Sequence, residues 1–218
     1  MNALCLDTST EVLSLCATHG EAWASLVLRR GLQHATALVP LAERLLRDVE
    51  LAVEDLELVV CSVGPGSFTG IRIGISTALG IGHGRGIPVV GVSTLDALGR
   101  SWSAYPGDVF AVIDARRGNL YSARYRGGER QGEYGDLSPS ELGSLVAEAD
   151  SPLLAGPDAS RIRGLLGEAG AALAVAETVD PRTALLMGVE ILRTRGTDAA
   201  PPRPLYLRKS EAERLSGR

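Results

Sequence analysis

The sequence has few aromatic residues and no excess of positive charge. Its 218 residues include two Phe, two Trp and five Tyr, and 22 Lys and Arg stand against 26 Asp and Glu, for a formal net charge of -4. Proteins that hold unpaired bases stack them on aromatic rings, and proteins that hold nucleic-acid backbones neutralise phosphates with basic side chains. The composition therefore disfavours unaided, high-affinity binding of RNA or DNA, while a local nucleotide pocket stays compatible with it.

Long apolar runs are also missing. The longest weakly polar stretch, from Ile71 to Ile81, contains Arg72 and is well short of the roughly 20 apolar residues that a membrane span needs. The amino terminus reaches Asp7 without a basic segment or an export-type apolar core. We therefore expect a cytoplasmic protein without a membrane segment.

Cysteine and histidine are too few and too scattered to predict a disulfide framework or a metal site. The three cysteines show no C-x-x-C spacing and lie in apolar, strand-like segments, so we expect reduced core residues. The three histidines lie too far apart to form a local ligand pair. No H-E-x-x-H or G-x-S-x-G pattern occurs, and we assign no catalytic residue and no metal ligand.

The two halves of the chain open on the same pattern. In each half a short apolar strand ends in an aspartate, and a polar turn and a second strand follow; the aspartates, Asp7 and Asp114, are 107 residues apart. This indicates an internal duplication. We predict two lobes, residues 1–106 and residues 107–218 with an extended tail. The predicted fold is the two-lobed, ribonuclease H-like α/β fold of actin, sugar kinases and the Hsp70 ATPase domain, with mixed sheets flanked by helices.

The two hairpin turns supply the candidates for a nucleotide site. In that fold the turns face a cleft where nucleotide phosphates bind, and Asp7 and Asp114 could position a magnesium-bound phosphate or a water. The neighbouring candidates are Thr8, Ser9 and Arg116. The alternative is structural, because aspartates in turns most often accept backbone N–H bonds from their own turn and turn arginines are usually solvated.

The most distinctive segment is a glycine-rich turn between a buried strand and a helix, Gly64-Pro-Gly-Ser-Phe-Thr-Gly70. Its spacing matches neither the Walker pattern nor G-x-G-x-x-G. It is therefore either an anion-binding turn or a structural turn in which Ser67 or Thr69 caps the helix.

Two helices of the first half carry a predicted contact surface. On the helix after the glycine-rich turn, small residues recur every fourth position and form one stripe, which consists of Gly70, Gly74, Ala78 and Gly82. Between His34 and Val49, apolar residues recur at helical spacing, at Leu38, Leu41, Leu45 and Val49. Pro40 should kink this helix or mark a late start. The stripe allows the close approach of either an internal element or a partner subunit.

Five segments of the chain resemble, in the same order, the TsaB family, also called YeaZ. They are Leu6-Asp-Thr-Ser-Thr-Glu11, Gly64-Pro-Gly-Ser-Phe-Thr-Gly-Ile-Arg72, Gly91-Val-Ser-Thr-Leu95, Ile113-Asp-Ala-Arg-Arg-Gly118 and Pro204-Leu-Tyr-Leu-Arg208. The resemblance implies a bacterial cytoplasmic protein that is required to transfer threonylcarbamoyl to the adenosine beside the anticodon of tRNAs reading codons that begin with A.

The resemblance also implies a subunit without chemistry of its own. TsaB resembles a degenerate paralogue of the catalytic subunit TsaD, pairs with it through helices of the first lobe, and is joined by the ATPase TsaE. At a net charge of -4, we expect tRNA to be held mainly by these partners. TsaD holds its metal with paired histidines, whereas here Leu38 stands one turn after His34. ADP or ATP with magnesium at the interface of the complex remains open, and we expect a homodimer when the chain is alone.

On this basis the small-residue stripe and the apolar residues of the first helix would form the face that meets TsaD. A bulky residue at Gly74 or Ala78 should then weaken the complex and leave the isolated fold intact. Three alternatives stay open: an autonomous sugar-kinase-like ATPase or phosphotransferase that uses Asp7 and Asp114, a glycoprotease-type peptidase, and a dimeric scaffold without nucleotide.

Overall fold

The computed structural model describes residues 1–29, 34–196 and 200–208. Within them the chain alternates between strands and helices. The strands are β1 (Ala3–Asp7), β2 (Val12–His19), β3 (Ala22–Arg29), β4 (Leu58–Gly64), β5 (Val89–Ser93), β6 (Val109–Arg116), β7 (Asn119–Arg126), β8 (Glu129–Leu137), β9 (Leu153–Ala155) and β10 (Ala174–Ala176). The helices are α1 (His34–Asp48), α2 (Phe68–Arg85), α3 (Thr94–Arg100), α4 (Pro139–Ala147), α5 (Ala159–Leu165) and α6 (Pro181–Arg195).

The strands form two five-stranded sheets with the same topology. The first has the order β3-β2-β1-β4-β5 and the second the order β8-β7-β6-β9-β10. In each sheet the first three strands are antiparallel and the last two run parallel to the first. Each strand of the second sheet thus has a counterpart five strands earlier. The duplicated α/β fold with mixed sheets flanked by helices is confirmed.

The chain divides into two compact units, and α6, the last helix of the described residues, belongs to the first of them. The first unit consists of residues 1–97 and 179–204, and the second of residues 98–178 and 205–218. Helix α6 packs on β1, β2, β4 and β5, and a Cβ added at Gly188 would collide with the side chain of Val60. This grouping differs from the sequence-based division between residues 106 and 107, because burial of one face of the first sheet depends on a helix from the end of the chain.

The first sheet is covered on both faces by apolar side chains. One face packs on α1 and α2 through residues such as Leu6, Leu38 and Ile75, and the other packs on α6 through residues such as Val60 and Leu185. The cysteines, Cys5, Cys16 and Cys61, are free and buried in these layers, as predicted. Burial raises the pKa of the Cys16 and Cys61 thiols to about 12, so both are neutral at physiological pH.

The second unit combines an apolar core with one buried carboxylate. The core of its sheet packs on α4 and α5 through residues such as Phe110 and Ile162. At the start of β6, the fully buried Asp108 accepts hydrogen bonds from the Arg124 guanidinium at 2.9 and 2.7 Å and from that of Arg126 at 3.1 and 2.9 Å. These bonds, chiefly those from Arg124, lower the pKa of Asp108 from 3.8 to about 2 although burial raises it.

Several elements differ from the sequence prediction. Strands β8 and β10 are not predicted, and the late start suggested by Pro40 is wrong, because α1 begins at His34 with Pro40 inside it. The sequence also predicts a strand from Glu21 to Arg30, and the structure forms β3 up to Arg29, while Arg30 lies outside the described residues. The last ten residues, which the sequence predicts to be polar and frayed, lie outside them as well. The sequence Ser138-Pro-Ser-Glu141 predicts a capping box at the start of α4, and this is confirmed, with Ser138 and Glu141 bonded reciprocally. No helix in the described part of the chain is both long and apolar enough to cross a membrane.

Candidate functional site

The turn after β1 is held together by its own polar side chains. The Oδ1 atom of Asp7 accepts the backbone N–H of Ser9 at 2.8 Å and its hydroxyl at 2.6 Å. The hydroxyl of Thr8 donates to the carbonyl of Gly70 at 2.6 Å, and that of Thr94 donates to Ser9 Oγ at 3.0 Å. All four side chains are buried. The structural role predicted for this turn is therefore present, with both bonds to Asp7 made through its Oδ1 atom.

The glycine-rich turn lies directly against this first turn. The backbone N–H of Ser67 donates to the carbonyl of Ser9 at 2.6 Å, and a Cβ at Gly66 would collide with the same carbonyl. Ser67 caps α2 by accepting the N–H of Gly70 at 3.2 Å. Between the two predicted caps, Ser67 and Thr69, the structure thus selects Ser67. The glycines allow the two backbone segments to approach each other closely.

The small-residue stripe of α2 faces the interior of the first unit. A Cβ at Gly70 would collide with the carbonyl of Thr8, one at Gly74 would lie 2.6 Å from Thr8 Oγ1, and one at Gly82 would collide with Val89. Ala78 is fully buried in the same core. The close neighbour is therefore internal. The expectation that a bulky residue at Gly74 or Ala78 leaves the isolated fold intact is wrong, because there is no room for it.

The apolar residues predicted on α1 also pack inward. Leu38 and Leu45 are buried in the core, as is Val49, which lies one residue beyond the end of α1, and Leu41 is partly buried against the same core. The outward sides of the two helices carry other residues. Val39 on α1 is 48% exposed and Phe68 on α2 is 37% exposed. That the stripe and the predicted leucines contact a partner stays a prediction, and a partner on these helices would first meet the outward residues.

A shallow, open depression lies on the outward side of α2 near its first turns. Its volume is about 390 Å³, and it is lined by Phe68, Thr69, Arg72, Ile73 and Ser76. The Arg72 guanidinium lies 3.8 Å from the centre of the Phe68 ring, a cation–π contact that orients both side chains. The repeat of small residues in the sequence marks only the inward side of this helix. The sequence feature that indicates the outward surface of α2 is Phe68 within the glycine-rich turn, followed one helical turn later by Arg72.

The turn after β6 differs from its counterpart in the first unit. Asp114 accepts the backbone N–H of Arg116 at 2.7 Å and pairs with the Arg161 guanidinium at 2.9 Å. Arg116 and Arg117 both have positive φ, 61° and 56°, a conformation that is uncommon for residues other than glycine. Asp114 thus ties down its own turn, as the structural alternative predicted. A nucleotide-facing role for Asp7, Thr8, Ser9, Asp114 and Arg116 stays a prediction.

His34 is used structurally at the start of α1. It is buried, and its Nε2 atom lies 2.7 Å from the carbonyl of Thr10. A carbonyl only accepts, so Nε2 carries a proton, while the buried Nδ1 atom has no hydrogen-bond partner. In residues 1–29, 34–196 and 200–208 no group of three or more His, Cys, Asp or Glu side chains is placed to hold a metal ion.

Comparison with known proteins agrees with the resemblance seen in the sequence. Residues 31–148 match the family described as TsaD, tRNA N6-adenosine threonylcarbamoyltransferase. The tRNA threonylcarbamoyladenosine biosynthesis protein TsaB of Bacillus subtilis is 30% identical over 227 aligned positions, which cover 98% of this chain and 96% of that protein. The chain belongs to the TsaB family.

Two further similarities show how far this TsaB-family relationship extends. An uncharacterized protein of Mycobacterium leprae is 44% identical over 121 residues, and the match spans 55% of this chain but 33% of that protein. The solved structure of YeaZ from Pseudomonas aeruginosa superposes with a TM-score of 0.77 at 27% identity, covering 94% of this chain and 99% of that one. The family resemblance is confirmed in sequence and in fold.

Proposed function

We propose that this chain serves the biosynthesis of threonylcarbamoyladenosine in tRNA as a cytoplasmic, non-catalytic subunit that pairs with TsaD and activates it. The observation that carries the proposal is the match to Bacillus subtilis TsaB along almost the full length of both chains. The match of residues 31–148 to the TsaD family supports the pairing, because related chains with a common framework readily form pseudo-symmetric pairs. In this proposal TsaE and tRNA are reached through TsaD.

The state of the two hairpin turns supports a non-catalytic role. In both turns the candidate side chains hold the turn itself, as aspartate, serine and threonine commonly do in turns. Asp7 and Ser9 bond each other, Thr8 bonds the backbone of α2, and Asp114 bonds its own turn and Arg161. Neither turn favours the autonomous ATPase. We therefore place ADP or ATP with magnesium at the interface of the assembled complex in this proposal.

The pairing surface in this proposal is the outward side of α1 and α2. Phe68 and Arg72 are of residue types enriched in interface cores, and they line a shallow surface depression that a partner side chain could contact. Val39 adds an exposed apolar group on α1. The buried stripe and leucines would act indirectly, by holding the two helices in place.

The proposed function is tested by reconstituting the reaction. The assay contains ATP, threonine, bicarbonate, tRNA, TsaD, TsaE and the enzyme that forms the threonylcarbamoyl donor, with and without this chain. We expect threonylcarbamoyladenosine only when the chain is present, and no ATP hydrolysis or proteolysis by the chain alone. Full product formation without the chain would overturn the proposal.

The pairing surface is tested with Phe68→Glu. A carboxylate at the first position of α2 is compatible with the helix dipole, so thermal stability should not fall, while calorimetric affinity for TsaD should fall by at least about tenfold, the scale of a lost interface anchor. Leu145→Glu, on an exposed position of α4, is the control and should bind normally. Unchanged TsaD affinity of Phe68→Glu would refute this surface, whereas the reconstitution would still decide the function.

A further inference from the structure

The side chain of Thr8 fills a slot formed by Gly70 and Gly74 on the inward side of α2. Thr8 is 1% exposed, and its hydroxyl donates to the carbonyl of Gly70 at 2.6 Å. The slot exists because both α2 residues lack a side chain: a Cβ at Gly70 would collide with the Thr8 carbonyl, and one at Gly74 would lie 2.6 Å from Thr8 Oγ1. In an α-helix a carbonyl accepts the N–H four residues later, and its second lone pair can accept a hydroxyl. The turn after β1 thus holds the start of α2 through a bond shielded from water.

A second bond holds the same helical turn from its other end. The backbone N–H of Ser67 donates to the carbonyl of Ser9 at 2.6 Å. Phe68 lies between Ser67 and Gly70, which are both anchored to the turn after β1. The Phe68 ring contacts the Arg72 guanidinium on the outward side of α2. One helical turn therefore displays the proposed pairing surface outward and is fixed inward by the turn after β1.

Among the described residues, the other hydroxyls of the turn after β1 do not bond α2. The hydroxyl of Ser9 donates to Asp7 at 2.6 Å, and Thr10 Oγ1 bonds the backbone N–H and carbonyl of Val12 at 3.1 and 3.3 Å. Thr10 is also buried. It therefore provides a matched control for Thr8, with the same side chain in the same turn but with bonds that stay close to that turn.

We propose that Thr8 is a positioning residue for the surface that pairs with TsaD. Its hydroxyl, through the carbonyl of Gly70, sets the first turn of α2 in the position in which Phe68 meets TsaD. The inference rests on the proposed function, because it needs Phe68 and Arg72 to contact TsaD. A side chain that is already in place does not have to be ordered on binding. The affinity for TsaD therefore depends on a buried residue on the opposite side of the helix.

The variant Thr8→Val tests this role. Valine keeps the branched shape but cannot donate, and a methyl group cannot approach a carbonyl as closely as a hydroxyl does. We expect the calorimetric affinity of the folded, full-length variant for TsaD to fall by about three- to tenfold, because binding then has to order a side chain and its helical turn. Thr8→Ser keeps the hydroxyl and should restore most of the affinity. Thr10→Val, the matched control, should bind as the native chain does.

A double-mutant cycle separates positioning from a general loss of stability. In a Phe68→Ala background, Thr8→Val should cause no further loss of TsaD affinity, because the ring that Thr8 positions is absent. A merely structural effect would lower the affinity by the same factor in both backgrounds. Hydrogen exchange of the isolated chain gives a readout without TsaD: Thr8→Val should accelerate exchange at the amides of Ile71 and Arg72 and leave exchange in α6 unchanged.

Three results would overturn the role of Thr8. They are native TsaD affinity of Thr8→Val when Phe68→Glu binds weakly, an equal loss of affinity in both backgrounds of the cycle, and unchanged hydrogen exchange at the start of α2. Each of them leaves the proposed pairing surface in place. Normal TsaD binding by Phe68→Glu would instead overturn the pairing surface and this proposal together, and the reconstituted reaction would still decide the function.

Discussion

At the scale of single residues, Asp108 is a buried carboxylate whose hydrogen bonds stabilise the second unit. Its two oxygens accept five hydrogen bonds, four from Arg124 and Arg126 and one, at 3.0 Å, from the backbone N–H of Asp150. We expect Asp108→Asn to lower the free energy of unfolding by about 2 to 3 kcal/mol, because each arginine loses a charge-assisted bond in a buried position. Chemical denaturation measures this loss.

The control for Asp108 is Asp150→Asn. The Asp150 carboxylate is 72% exposed and lies 3.6 Å from the Arg126 guanidinium, and such a surface pair contributes about 0.5 kcal/mol or less.

The lowered pKa of Asp108 also determines how its contribution to the free energy of unfolding depends on pH. Its contribution is complete above the unfolded-state pKa near 3.8 and is lost as the pH falls towards 2. The stability difference between the native chain and Asp108→Asn should therefore shrink from pH 5 to pH 2, and a constant difference would contradict this role.

At the scale of elements, substitutions at two glycines of α2, Gly74 and Gly80, distinguish the effect of packing from the effect of helix propensity on stability. An added Cβ at Gly74 lies 2.6 Å from Thr8 Oγ1, which is fixed by its bond to Gly70, whereas Gly80 has nothing within 4 Å. Gly74→Ala should lower the free energy of unfolding by about 1 to 3 kcal/mol through overpacking, and Gly80→Ala should raise it by up to about 1 kcal/mol. Equal effects in thermal unfolding would show that the contact with Thr8 is not limiting.

At the scale of the whole molecule, the core of the first unit includes α6, which follows the strands of the second sheet in the sequence. Leu185 on α6 is 1% exposed in the core against the first sheet, whereas its neighbour Leu186 is 52% exposed. Leu185→Ala should cost about 2 to 5 kcal/mol, because it leaves a cavity in that layer, and Leu186→Ala should cost less than about 1 kcal/mol. Hydrogen exchange should accelerate in β1 and β4 and stay unchanged in β6 and β7. Equal acceleration in both sheets would contradict separate stabilisation of the units.

The sequence by itself determined the features that depend on local chemistry. The repeated strand-aspartate-turn-strand pattern predicted the duplicated sheets, because the turn residues and the alternation of the strands lie within a few residues of each other. The capping box at Ser138 and the buried cysteines follow from equally local rules. The five family segments indicated TsaB because their order and residue types are specific, and the comparisons agree.

Only the tertiary structure decided which neighbouring element packs against each periodic set of residues. A stripe of small residues is equally compatible with an internal neighbour and a partner, and the position of Thr8 and Val89 made it internal. Strand β8 was missed because its exposed polar residues lack an apolar alternation, and it is a strand because β7 pairs with it. Likewise, nothing near α6 in the sequence points to the first sheet. Contacts between residues far apart in the chain set these features, and local patterns carry no information about such contacts.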